Sequence, residues 1–532
     1  MGIKVNRIAM TTEGLIEGIP QSTTLFTVFK GIPYAAPPVG KLRWRDPQPP
    51  HKHDEMLHCC KFAPAAPQAL YRVNASGDKL PKEADADSNN VDFEESEDCL
   101  YLNIWTPDVN PDANLPVLFW IHGGRYTGGS SFEDHVDGEI FCRNQAIFVS
   151  VGYRLGVFAN MAHPEIRLKS DLHACGTLGV LDLIQALKWL KNNIQVFGGD
   201  PNNITIGGQS AGGNLTDALL VSPLSQGLFR RAVIHSTGIL LDTDTHYEIE
   251  KAERIGVEIC KRLNLTFEQL QMLPTDQAHK MIMKAANEIE ELEFMPVIDG
   301  VVFKEQVYAT LSKGEHVDVD ILVSSVSGDS VIGKFKPTTA SNFANLAKAV
   351  GGTKYQDIIN LFGAEQEENM KDAYRKARTY FPRMQPLAFA LAEQKNGKKP
   401  VYIAYFDRKL PGDERGAFHT SELWYLFGTL GRNWRTRKHY MTGADYELSE
   451  LMCRYWTNFM KTGNPNEEGL PNWNPFSKEE HVYQYFSEKG AENRRIENDD
   501  TAFIVSDIFS DYRISEYKGE TNVNKALPDG SI

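Results

Sequence analysis

The sequence predicts an α/β fold: a central, mostly parallel sheet flanked by helices. Three observations predict it. Short, wholly apolar runs such as Val117–Ile121 and Ile147–Val151 have the length and composition of strands buried on both faces. Between such runs lie stretches with apolar residues at helical spacing, as in Gly179–Leu190. Neither a repeat nor a Pro- or Ser-rich linker divides the 532 residues, so a single domain over 1–532 is expected.

In chain order, the strands at 117–121 and 147–151 lead to the helix at 179–190. A short strand at Ile204–Ile206 follows, then a helical pattern over Gly213–Val221. The range 240–395 is more charged and more helical, for example Tyr247–Leu263 and Asp276–Leu292, and is expected to be a helical insertion forming a cap. The β-like Val401–Phe406 marks the return to the sheet, and the polar stretch from about Gly519 is expected to fray.

Composition narrows the function. With 42% hydrophobic and 24% charged residues the chain is an ordinary globular one. The charge sum, 56 − 70 = −14, repels phosphate backbones, so no nucleic-acid partner is expected. No apolar stretch approaches the ~20 residues needed to cross a bilayer, and the first ten residues lack a sustained apolar core, so neither a membrane anchor nor a secretory signal is expected. Seven cysteines without a framework pattern suit a reducing compartment, and the expected location is the cytoplasm. His51, His53, His58, Cys59 and Cys60 match no zinc-ligand spacing, so no metal is expected. Eight acids crowd into Glu83–Asp98, which reads as a solvated loop or as a cation-attracting rim.

The strongest chemical signal is Gly208-Gln-Ser-Ala-Gly212, preceded by a strand and followed by a helix. That is the pattern of a nucleophile elbow. The sharp turn strains the serine backbone, and a Cβ at the flanking positions would strike neighbouring chain. It lifts Ser210 clear of the sheet and sets the Ala211 N–H at a helix start, where it can meet a developing oxyanion. Upstream, His122-Gly-Gly124 directly follows the strand 117–121, as an oxyanion loop should.

The chain resembles the type B carboxylesterases of the cholinesterase-like α/β-hydrolases. Phe29–Trp44 is similar to the family's N-terminal block, Glu97–Trp105 to its second signature, and Phe197–Gly213 to its serine signature. The likeness runs from about 5 to 510. It implies an α/β-hydrolase fold and a serine carboxylesterase acting on small-molecule esters, without cofactor; a monomer or weak homo-oligomer is expected. Gly416–Gly428 is similar to the family's histidine block, which implies His419 as the base and Glu422 as a buried carboxylate supporting it from behind. The acid is usually a glutamate after a short strand. Here Ile321–Ser330 occupies that place and puts Asp329 in the acidic slot, with Asp299 as its rival, and the order Ser210, Asp329, His419 agrees with the hydrolase order.

Two departures from the family pattern stand out. The third glycine of the oxyanion loop is Arg125 here, so the expected hole comprises the N–H groups of Gly124, Arg125 and Ala211. The Arg125 guanidinium either favours substrates bearing a carboxylate or points to solvent. Cys99 lacks the family's disulfide partner, because the matching segment reads Phe62-Ala-Pro-Ala-Ala-Pro-Gln68. For substrate, no tryptophan lies between Leu70 and Cys99 to seat a choline cation. Phe294 and Met295 are the candidate apolar acyl wall, and a neutral, moderately hydrophobic ester is the expected substrate. The same triad would serve an amide or carbamate, and a non-catalytic binding module of this fold is the remaining alternative.

Overall fold

Strands form where the apolar runs stand. In chain order they are β1 (Ile8–Met10), β2 (Leu15–Glu17), β3 (Ile19–Pro20), β4 (Thr27–Pro33), β5 (Leu57–His58), β6 (Tyr101–Thr106), β7 (Leu115–Ile121), β8 (Ile147–Val151), β9 (Gly199–Gln209), β10 (Arg231–His235), β11 (Asp320–Val326), β12 (Tyr402–Phe406), β13 (Val482–Ser487) and β14 (Gly490–Arg495). The structure, a computed structural model, describes residues 6–20, 25–68, 94–237, 248–289, 294–329, 339–409, 416–432 and 442–517. The acidic run from Glu83 to Phe93 and the tail from Gly519 lie outside the described residues.

Among the described residues, eleven strands make one sheet in the order β3-β4-β6-β8-β7-β9-β10-β11-β12-β13-β14, and β1, β2 and β5 make a small second one. From β8 across to β13 the pairings are parallel, while both flanks turn antiparallel. The sheet is therefore the mostly parallel one expected, with antiparallel edges that the apolar runs alone did not reveal.

Side chains divide by strand alternation. In β7, Val117, Phe119 and Ile121 join one hydrophobic cluster, while Leu118 and Trp120 join another. This is the two-residue period of a strand covered on both faces. The larger cluster gathers the helices Leu178–Asn193, Ala211–Val221, Ile249–Leu263, Met370–Lys395 and Thr501–Tyr517. The smaller gathers Glu139–Arg143, Leu423–Leu426 and Gly443–Thr462, with Trp105, Trp120, Trp456 and Trp473 among its members.

Among the described residues of 240–395, helices stand before and after β11, which pairs with β10 and β12. The helices before and after β11 are thus two groups rather than one uninterrupted insertion. The helix expected over Asp276–Leu292 ends at Ala286, where a turn takes over from the α-helical ladder.

Candidate active site

The site is built where β7, β9, β10 and β11 end side by side. β9 stops at Gln209, Ser210 takes φ 57° and ψ −126°, and the helix Ala211–Val221 begins at the next residue. This strained turn closes only because its flanks lack side chains. A Cβ on Gly208 would stand 2.3 Å from the Gly212 carbonyl oxygen, and one on Gly212 would stand 2.1 Å from that of Ile121. The Ser210 N–H donates to the His235 carbonyl at 3.0 Å, which fastens the elbow to the end of β10.

Asp329 sits just beyond β11, and its turn is tied to the loop that carries His419. The Gly328 N–H donates to the Ala417 carbonyl at 2.9 Å, and Ser327 donates through its hydroxyl to Asp407 at the end of β12. His419 Nδ1 lies 2.9 Å and 3.1 Å from the two Asp329 carboxylate oxygens. A carboxylate only accepts, so Nδ1 carries the proton and Nε2 the lone pair. The structure also brings Gln209 to the base, with its side-chain nitrogen 3.1 Å from His419 Nε2. Gln209 immediately precedes Ser210, so this contact sets the free nitrogen of the imidazole beside the elbow.

The rival acid does not join this group. Asp299 is occupied by its own turn: one oxygen accepts the N–H groups of Val301, Val302 and Phe303, and the other accepts the Thr177 hydroxyl.

After β7 the chain enters the glycine loop. The His122 ring is buried and stacks on Tyr153 with centroids 4.4 Å apart, while the Tyr153 hydroxyl donates to the His122 carbonyl at 2.8 Å. Burial lowers the His122 pKa, so the ring is held neutral. Gln68 clamps the far side, exchanging two 2.9 Å hydrogen bonds with the backbone of Gly129. Arg125 (φ 56°) and Tyr126 (φ 64°) are both left-handed, which side-chain-bearing residues adopt at a cost. The Arg125 side chain is exposed. Ala211 opens a helix, so its N–H is among those that helix geometry leaves unpaired.

Glu422 is wholly buried. Its ion-pair neighbour is the His235 ring, Nδ1 to Oε1 3.4 Å, rather than a group of the triad. Phe294 and Met295 are buried in the larger cluster. Sequence reasoning assigned no role to Gln209, Tyr153, Gln68 or His235. Gln209 had a signal, since it occupies the open position before the serine of the elbow motif. The others are brought in by tertiary contacts across the fold.

A strained serine at a strand-to-helix turn, with a histidine–aspartate pair on the neighbouring loops, defines an α/β-hydrolase. The chain belongs to the carboxylesterase family, whose sequence profile matches residues 5–504. It is 31% identical over 493 residues to the para-nitrobenzyl esterase of Bacillus subtilis, covering 89% of this chain and 93% of the relative. It is 27% identical over 491 residues to the fumonisin B1 esterase of Sphingopyxis macrogoltabida, covering 90% and 86%. Among solved structures, a PNB esterase superposes with TM-score 0.78 at 27% identity, covering 93% of this chain and 98% of that one. A Geobacillus stearothermophilus carboxylesterase superposes with TM-score 0.75 at 27% identity, covering 92% and 98%. The protein is a carboxylic ester hydrolase acting on small-molecule esters. No helix among the described residues is long and apolar enough to cross a membrane.

Proposed function

We propose that Ser210 is the nucleophile, His419 the general base and Asp329 the acid that orients it. The observation that carries this reading is the Asp329 carboxylate at His419 Nδ1, which leaves Nε2 as the free nitrogen of a ring packed against Gln209, the residue next to the serine. Ser210 Oγ forms a bond to the ester carbonyl carbon while its proton passes to His419 Nε2. The tetrahedral intermediate collapses, the C–O bond to the alcohol breaks, and the imidazolium gives its proton to the departing alkoxide. Water then repeats the sequence on the acyl-enzyme, releasing the acid. The N–H groups of Gly124, Arg125 and Ala211 receive the oxyanion charge. Asp329 fixes the tautomer and stabilises the imidazolium, and no metal or organic cofactor takes part.

The substrate proposed is a neutral, moderately hydrophobic ester, with Phe294 and Met295 as the acyl wall and the helices of 240–395 on either side of β11 as the cap. Seven free cysteines support a cytoplasmic setting, and the proposed state is a monomer or weak homo-oligomer. The test is hydrolysis of a p-nitrophenyl acyl series by wild type and Ser210→Ala. Activity lost in the variant is expected, and the chain-length profile then sizes the pocket. Equal turnover by both proteins removes Ser210 from its role.

A further inference from the structure

Behind the elbow lies a polar group that the ester chemistry described above does not use. His235, the last residue of β10, is fully buried between Trp120 and Trp456, ring centroids 5.8 Å and 5.6 Å away. The Trp456 indole nitrogen donates to His235 Nε2 at 3.0 Å. An indole N–H only donates, so Nε2 holds a lone pair and the proton of the neutral ring is on Nδ1. That side of the ring faces Glu422, 3.4 Å away. Neither Glu422 oxygen, nor His235 Nδ1, makes a hydrogen bond among the described residues, and the two groups face each other at the 3.4 Å of an ion-pair contact.

The backbone gives the ring its leverage. The His235 carbonyl accepts the Ser210 N–H, and its Cα pairs with Gln209 on β9 and with Ser324 on β11. Glu422 lies three residues after His419, on the loop that carries the base, and Thr420 within that link has the left-handed φ of 79°. One side chain therefore spans from the strand that fastens the nucleophile to the loop that carries the imidazole, with the helix Gly443–Thr462 bracing it through Trp456.

We propose that His235 is a positioning residue for the ester reaction: braced by Trp456, it holds Glu422 and so fixes the distance of His419 from Ser210. The proposal rests on the triad reading above. Glutamine at 235 retains both functions, an amide oxygen for the indole N–H and an amide N–H for Glu422, whereas leucine fills the space and retains neither.

The test compares His235→Gln, His235→Leu and the double variant His235→Leu/Glu422→Leu on p-nitrophenyl butyrate, with thermal melting of each. His235→Gln is expected to keep kcat within about threefold of wild type. His235→Leu is expected to lose about 10- to 100-fold in kcat with KM little changed, as a misplaced base should. The double variant removes the unpaired buried carboxylate, so it regains thermal stability while kcat stays low. If kcat returns with the melting temperature, the pair is merely part of the core and the proposal falls, as it does if His235→Leu turns over like wild type. Should His235→Leu not fold, the double variant decides alone by the same reading. Labelling with diethyl p-nitrophenyl phosphate separates this from failure of the triad reading. It is expected to react with one serine in every variant except Ser210→Ala, and a Ser210→Ala protein that keeps its activity overturns both.

Discussion

The Gln209 side-chain nitrogen lies against the His419 ring, 3.1 Å from Nε2 and 3.5 Å from Nδ1, the atom that faces Asp329. The imidazole is therefore held by Asp329 at Nδ1 and packed against by the Gln209 amide. With the proton on Nδ1, the Gln209 amide packs beside the nitrogen that must receive the serine proton and leaves its lone pair open. Gln209→Leu removes this tether and leaves the Asp329 contact to orient the ring alone. Steady-state kinetics should show kcat lowered by about tenfold or more with KM within a factor of about three. An unchanged kcat would mean that Asp329 suffices to orient the base.

Much of the site was legible because its physics is local. The elbow and the glycine loop each lie within a few consecutive residues, next to strands that read clearly as apolar runs. Asp329 and His419 are 90 residues apart, and no period or spacing joins them; the family resemblance supplied that pairing. His235 shows why the remainder was hidden. It reads as an ordinary strand end, and its importance arises from Trp456, 221 residues later. Glu422 was expected as a buried carboxylate behind the base, but the sequence carried no signal that the side chain it faces is that same histidine. The antiparallel flanks of the sheet were equally silent, since β4 and β6 carry apolar residues much as the parallel strands do.

Closeness of backbone at the elbow makes Gly212 intolerant of any side chain. A methyl group there would lie 2.1 Å from the Ile121 carbonyl oxygen and 2.6 Å from that of His122, so the elbow and the glycine loop would have to separate. Gly212→Ala should lose most esterase activity and melt at a lower temperature, the combined penalty being about 1–3 kcal/mol or more. A variant with wild-type melting and turnover would show that the two segments yield easily.

Thiol chemistry should single out one cysteine. Cys60 is exposed, whereas the other six are buried. Burial also raises the thiol pKa, to about 12 for Cys59, Cys175 and Cys453 and about 11 for Cys260, so little thiolate forms near neutrality. A chromogenic disulfide reagent should titrate a single thiol quickly in the native protein and all seven after denaturation. Cys60→Ser should abolish the fast phase. Two or more fast thiols in the native state would contradict the burial.

Acidification should weaken the fold through its buried histidines. His122, His163 and His279 have pKa values lowered chiefly by burial, so the folded state favours their neutral rings. In the unfolded chain a histidine titrates near 6.5. Above that value both states are neutral and the contribution is fully present. Below it the unfolded chain takes up protons first, and stability falls as the pH drops toward the folded values. His122→Phe keeps a ring against Tyr153 and removes one of these groups. Its melting temperature should decline less than that of wild type between about pH 7.5 and about pH 5.5. Parallel declines would exclude His122 as a contributor.

Arg125 combines an unfavourable backbone with an exposed side chain. Its φ of 56° follows the 111° of Gly124 and precedes the 64° of Tyr126, so the glycine loop turns through three left-handed residues in succession. A side-chain-bearing residue pays roughly 1–2 kcal/mol for that conformation. Glycine would relieve this cost but loses more chain entropy on folding. The net effect expected of Arg125→Gly is a gain of up to about 1 kcal/mol, read as a higher melting temperature. Because the guanidinium is exposed, its effect on selectivity depends on the charge of the ester. Half-esters of dicarboxylic acids should lose kcat/KM in the variant relative to neutral esters of the same length, and the difference should shrink with added salt. A selectivity profile identical to wild type would mean that the side chain serves only solvent and that the left-handed arginine is carried without benefit to catalysis.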